Sequence, residues 1–133
     1  MEVLIRDFLV AENARDWHKW AYFLTDDVTY AVVGSGNVVT GKNNYVIHMQ
    51  NVYAELPDWR FVVETLATGA DAVIVEFLGS GHFTGVHDGR KYTAVPLELS
   101  AVCVFRLRNN KIASVREYFD HASYERQLAS SVR

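Results

Sequence analysis

Near the start of the chain, apolar residues recur at helical spacing. Leu4, Phe8 and Ala11, joined by Ile5 and Leu9 with charges between them, predict an amphipathic helix from Val3 to Ala14. Asp16 is placed to cap a second, short helix whose apolar face is Trp17, Trp20, Ala21 and Leu24, ended by Thr25-Asp26-Asp27. Val28 to Val33 is rich in β-branched and aromatic residues and stops at Gly34-Ser35-Gly36-Asn37, which reads as a strand and a turn. Beyond Gly41, Asn43 or Asn44 caps a third helix in which Tyr45, Met49, Val52, Tyr53 and Leu56 share a side. Pro57-Asp58 terminates it.

The rest of the pattern is strand-like, over about 59–67, 72–84, 91–108 and 112–119, with turn residues at Gly69, Asp88-Gly89 and Asn109-Asn110. Two of these strands exceed the usual length, so the sheet should coil or bend, with Gly79, Gly81, Gly85 and Pro96 as sites for bulges. Asp120 caps a terminal helix that continues through Tyr124 to Leu128. This order predicts an α+β fold: a strongly curved, antiparallel or mixed sheet with the helices on one face.

Composition narrows the function. The 133 residues are expected to form a single domain, 1–133, large enough to stabilise one core without metals or disulfides. Thirteen Lys plus Arg against sixteen Asp plus Glu give a net charge of −3 with no basic run, which argues against nucleic acid as a partner. A lone cysteine, Cys103, within Ala101-Val102-Cys103-Val104-Phe105 excludes an intrachain disulfide and any multi-cysteine metal site. Charges in Met1-Glu2-Val3-Leu4-Ile5-Arg6-Asp7 interrupt any signal-peptide core or membrane span, so a cytoplasmic protein without a membrane partner is expected.

Several fragments carry a resemblance: Leu24-Thr25-Asp26-Asp27-Val28, Leu56-Pro57-Asp58-Trp59, Gly81-His82-Phe83-Thr84-Gly85, Asn110-Lys111-Ile112, Arg116-Glu117-Tyr118-Phe119-Asp120 and Gln127-Leu128. In this order and spacing they resemble the SnoaL-like polyketide cyclases of the nuclear transport factor two-like superfamily. The C-terminal run is also similar to limonene epoxide hydrolases. The resemblance implies a cone-shaped sheet wrapped around the N-terminal helices, an interior apolar pocket open at one end, and a homodimer formed through the outer face of the sheet.

Period-two alternation over Ile112 to Phe119 puts Val115, Glu117 and Phe119 on one face and Ser114, Arg116 and Tyr118 on the other. A carboxyl among Val and Phe loses solvation, its pKa rises, and it becomes a matched general base or acid near neutrality, which makes Glu117 the leading catalytic candidate. Epoxide hydrolases place a catalytic Asp at the matching position, and their water-positioning Tyr falls on Tyr30. Their Asn falls on Val32, and their Arg and second carboxylate fall near His82 and Thr84, so epoxide hydrolysis by that mechanism is not expected. The polar groups of ketosteroid isomerases fall on Phe8, Ala31 or Val32, and Cys103, which argues against that enolate design as well.

His82 has an unperturbed pKa suited to proton transfer and stands on an otherwise apolar strand. SnoaL-like sequences place a His one position later, where Phe83 stands; the offset reverses the face, and a bulge would decide which way His82 points. Thr84 shares its face. Trp17, Tyr45 and Phe119 are candidate lining residues, and His48 lies beside the core stripe at a rim position. His87-Asp88-Gly89 reads as a hairpin turn, no His/Cys/carboxylate spacing matches a metal site, and no cofactor is expected.

Two functions compete. One is a cofactor-free enzyme, of cyclase, isomerase, dehydratase or hydrolase type, acting on a small, mostly apolar, oxygen-bearing substrate with Glu117, Tyr30 and His82 as catalytic groups. The other is a noncatalytic ligand-binding or dimerising cone. A pocket filled by Trp and Phe side chains would favour the second.

Overall fold

The computed structural model describes residues 1–132. Helices α1 (Glu2–Asn13) and α2 (Trp17–Tyr22) precede strand β1 (Leu24–Val32) and a short β2 (Val38–Thr40). Helix α3 (Lys42–Glu55) leads to β3 (Arg60–Thr68), β4 (Ala72–His87), β5 (Arg90–Arg108) and β6 (Lys111–Phe119), and α4 (His121–Ser130) follows. The strands form one open sheet in the order β2-β1-β6-β5-β4-β3. All neighbours are antiparallel except β1 and β6, which run parallel, so the sheet is mixed. No described helix is long and apolar enough to cross a membrane.

Local chemistry sets the boundaries. Asp16 accepts the Lys19 N–H at 3.2 Å and Asp120 accepts the Ser123 N–H at 3.2 Å, the two N-caps expected for α2 and α4. The hairpin turns Asp88-Gly89 and Asn109-Asn110 have positive φ at both residues (49° and 76°, 52° and 61°), the backbone that matches the right-handed twist of long strands.

Three details depart from the expectations. Leu24 does not continue the α2 face; it begins β1 opposite Ile112 and is fully buried in the sheet. The cap of α3 is Gly41 (φ 98°), and neither Asn43 nor Asn44 takes that role; Asn44 donates instead to the Thr40 carbonyl at 3.0 Å. The short β2 was not expected, since three residues carry too little period to read, yet it pairs Val39 with Tyr30.

Glycine acts at the bend of β4 by leaving space. A Cβ on Gly79 would lie 2.7 Å from Trp59 Cε2 and 2.9 Å from its Nε1, so the glycine is what lets the indole lie across the strand. The β4–β5 register shifts between Phe83 and Gly85, where Ala94 takes φ 49° and donates its N–H to Thr84 Oγ1 at 2.8 Å. The principal core lies between the helices and one sheet face: Phe8 stacks on Trp20 at 5.0 Å and meets Phe105 edge-on at 5.9 Å.

Candidate active site

Helices and sheet do not close on each other completely. They enclose a cavity of about 370 Å³, lined mainly by apolar side chains that include Phe8, Met49, Phe61, Phe77 and Phe105. That is large enough for a small organic molecule.

Glu117 reaches this cavity because β6 alternates as its sequence implies: Val115 and Glu117 face inward while Arg116 and Tyr118 are exposed. Strand pairing then fixes its neighbours. Val32 and Cys103 stand opposite Glu117 on β1 and β5, and Tyr30 lies two residues before Val32 on the same face. Tyr30 donates its hydroxyl hydrogen to Glu117 Oε1 at 3.0 Å, and the Cys103 thiol lies 3.9 Å from the same oxygen. Burial, reinforced by the charge of Glu12, pushes the Glu117 pKa up to about 7 against the downward pull of the Tyr30 and Cys103 bonds. Burial likewise raises the Tyr30 and Cys103 pKa values, so both keep their protons.

A second carboxyl group shares the cavity. Glu12, at the end of α1, accepts the Trp20 indole N–H at 3.1 Å and the Tyr53 hydroxyl at 2.6 Å. Burial raises its pKa, while those two bonds and the Arg15 charge oppose the rise. Glu12 and Glu117 both keep some accessible surface, and both line the cavity, so their remaining exposure is toward that space. The sequence did carry a signal for Glu12: Ile5, Phe8, Leu9 and Glu12 fall at i, i+3, i+4 and i+7, one continuous inner stripe.

Of the other expected site residues, Tyr45 and Phe119 line the cavity, and so does His48 from α3. Tyr45 stacks on Tyr30 at 4.7 Å, and burial lowers the His48 pKa, favouring the neutral ring. Trp17 lies outside the lining, packed on Trp20 and Tyr53 with ring centroids 5.2 and 5.6 Å away. His82 is also outside, and corrects the expectation that it joins Glu117. The bulge follows it without inverting it, Phe83 takes the inner face, and exposed His82 is held by Asp58, with Nδ1 2.6 Å from Oδ2 and its backbone N–H 2.8 Å from Oδ1. Thr84 is exposed and occupied by the Ala94 N–H.

Among the described residues, three metal-ligand side chains converge only at His87, Asp88 and Glu125. There the imidazole Nε2 lies 2.7 Å from Glu125 and 3.6 Å from Asp88 in an ordinary surface ion-pair arrangement.

Helices seated against an open mixed sheet, with a half-buried carboxyl group facing the enclosed space, define a cone of the nuclear transport factor two-like type. Within that class the chain belongs to the SnoaL-like polyketide cyclase family, whose model matches residues 3–128. A candidate polyketide cyclase from Xanthomonas campestris superposes with a TM-score of 0.82 at 18% identity, covering 96% of this chain and 95% of that one. A candidate SnoaL-like polyketide cyclase from Shewanella putrefaciens gives 0.87 at 15% identity over 97% and 96%. An LEH-like epoxide hydrolase from M. tuberculosis gives 0.77 at 17% identity over 96% and 87%. At these identities the likeness speaks to fold alone. No curated protein matches the chain.

Proposed function

We propose that the protein is a SnoaL-like enzyme that moves a proton on a small, mostly apolar, oxygen-bearing molecule held in the cavity. One observation carries this reading: the carboxyl of Glu117, with its pKa near 7, meets an apolar space large enough for such a molecule. Near neutral pH a group of this pKa is present in both forms, so it can take a proton from one atom and return it to another. The hydroxyl of Tyr30 fixes the carboxylate through its 3.0 Å bond to Oε1, and among the described residues the second oxygen, Oε2, has no hydrogen-bond partner and is left for the ligand. His82 has no part in this mechanism, since its ring is outside the cavity. The reading invokes no cofactor.

A noncatalytic cone would be expected to fill its interior with Trp and Phe side chains, and the space beside Glu117 is open. The deciding experiment screens small ketones, epoxides and alcohols for turnover and then compares Glu117→Gln, which keeps shape and removes the base. Loss of a single general base lowers kcat by roughly 100-fold or more with KM little changed. Turnover unaffected by the substitution would refute the assignment, and binding without turnover of any compound would favour the noncatalytic alternative.

A further inference from the structure

Glu12 is a half-buried titratable group on the cavity wall that the proton-transfer reading leaves without a task. Its two known partners are both neutral donors, Trp20 Nε1 and the Tyr53 hydroxyl. Arg15, the nearest cation acting on it, does not form an ion pair with it among the described residues. The guanidinium instead donates to the backbone carbonyls of Glu12, Asn13 and Trp59 and lies over the Tyr53 ring at 3.6 Å. No lysine or arginine occurs among the described lining residues of the cavity. Two carboxyl groups therefore face an apolar space whose described lining has no lysine or arginine and whose basic side chains are His48 and His121.

What joins them is aromatic. The Trp20 ring meets Tyr45 at 4.6 Å and Tyr45 stacks on Tyr30 at 4.7 Å, so three π-systems run from the group bonded to Glu12 to the group bonded to Glu117. Tyr45 supplies an independent observation. It is only 2% exposed and lines the cavity, yet its hydroxyl has no hydrogen-bond partner among the described residues. The hydroxyl keeps some accessible surface of its own, and because Tyr45 lines the cavity that polar atom is presented to the space.

An ammonium group answers each of these features. It is attracted to carboxylates, to aromatic faces and to a phenolic oxygen, and it carries enough N–H donors to meet several acceptors at once. We propose that the cavity takes a ligand with a protonated amine on an apolar skeleton, the ammonium held at Glu12 with the Tyr45 hydroxyl as a further acceptor, and the remainder lying toward Glu117. This rests on the reading of the cavity as the substrate site, and names the class of molecule it selects.

The groups that titrate or carry charge at Glu12 or around the cavity are Tyr53, Tyr45 and His48 from α3, Arg15 after α1, Glu117, Cys103 and Tyr30 from the sheet, and His121 and Tyr124 from α4. Burial keeps the phenols and thiol protonated and disfavours the charged form of His48, while it raises the pKa of both carboxyl groups, which makes ammonium binding sensitive to pH. Amine binding should strengthen as pH rises from 6 to 8, because the Glu117 carboxyl, pushed up to about 7 by burial, gains its negative charge over that range, and burial raises the Glu12 pKa as well.

The test uses three compounds of one shape, 2-naphthylmethylamine, 2-naphthylmethanol and 2-naphthoate, titrated into the wild-type protein by calorimetry at pH 8. The amine should bind about tenfold tighter than the alcohol, and the carboxylate weakest. Glu12→Gln should abolish that preference while leaving alcohol affinity within twofold; Tyr45→Phe should reduce it in part. Should Glu12→Gln unfold, the wild type alone decides, since the amine-to-alcohol ratio must fall several-fold between pH 8 and pH 6. Equal affinity for amine and alcohol, a ratio indifferent to pH, or a preference that persists in a folded Glu12→Gln protein would overturn the proposal. Failure of all three compounds to bind would overturn the cavity reading itself, whereas tight binding of the alcohol alone would leave that reading standing and remove only the amine.

Discussion

Replacing Glu117 by Gln should make the protein more stable, and increasingly so as pH rises. On folding, the Glu117 pKa moves from its ordinary 4.5 to about 7, so the native state holds this proton more tightly than the unfolded chain does. Below pH 4.5 both states are protonated and the group contributes nothing to the difference. Between 4.5 and 7 the unfolded chain loses its proton first, which favours unfolding, and above 7 the full penalty of a charged, buried carboxylate is present. At about 1.4 kcal/mol per pKa step, the penalty is on the order of 3 kcal/mol, or roughly 10 °C in Tm for a chain of this length. Gln keeps an oxygen to accept the Tyr30 hydroxyl but cannot ionise, so it removes this pH-dependent part alone. Urea unfolding followed by tryptophan fluorescence at pH 5 and pH 8 measures it for both proteins. The advantage of the variant should grow by about 2–3 kcal/mol between the two conditions. The lowered pKa values of Asp27 and Asp58 act with the opposite sign in both proteins and cancel in the comparison. A difference that stays constant with pH would mean that position 117 has an ordinary, solvated carboxyl, and the proton-transfer role would fall with it.

Three further outcomes follow from the geometry. Tyr30→Phe removes a bond that holds the Glu117 pKa down, so the carboxyl midpoint, read by infrared difference titration, should move up from about 7 by about one pH unit. Gly79→Ala puts a methyl group where the Trp59 indole lies and should cost about 1–3 kcal/mol in urea unfolding, with a changed near-ultraviolet tryptophan signal. Light scattering at micromolar concentration should show a dimer joined through the outer sheet face, where Val62, Ile74 and Tyr118 are exposed; a monomer would refute that assembly.

Most of the architecture was legible because long elements repeat their period many times. The α1 stripe, the Tyr45–Met49–Tyr53 row and the alternation of β6 each offered several agreeing positions, and the capping aspartates fixed two helix starts. Misreadings came where few residues carry the signal. Leu24 fits a helical face and a strand start equally well, and only its pairing with Ile112 decides. His82 and Phe83 differ by one position, so their faces depended on where the bulge fell. Glu12 was hidden for a different reason: a charge on an inner stripe looks like an edge of that stripe until Trp20 and Tyr53, eight and forty-one residues away, are seen to meet it. Glu117 was readable because its apolar companions are adjacent in sequence.

The parallel seam between β1 and β6 joins residues more than eighty positions apart, and the hydrogen bond between Tyr30 and Glu117 spans it, its partners 87 positions apart. Contacts this distant form late, because a long loop must close before they give any stabilisation. A chain emerging during synthesis therefore has its first three helices and first strand long before it has a chamber. Assembly of the chemistry coincides with the final docking of the sheet, and a molecule that fits the finished interior would favour that last step by mass action.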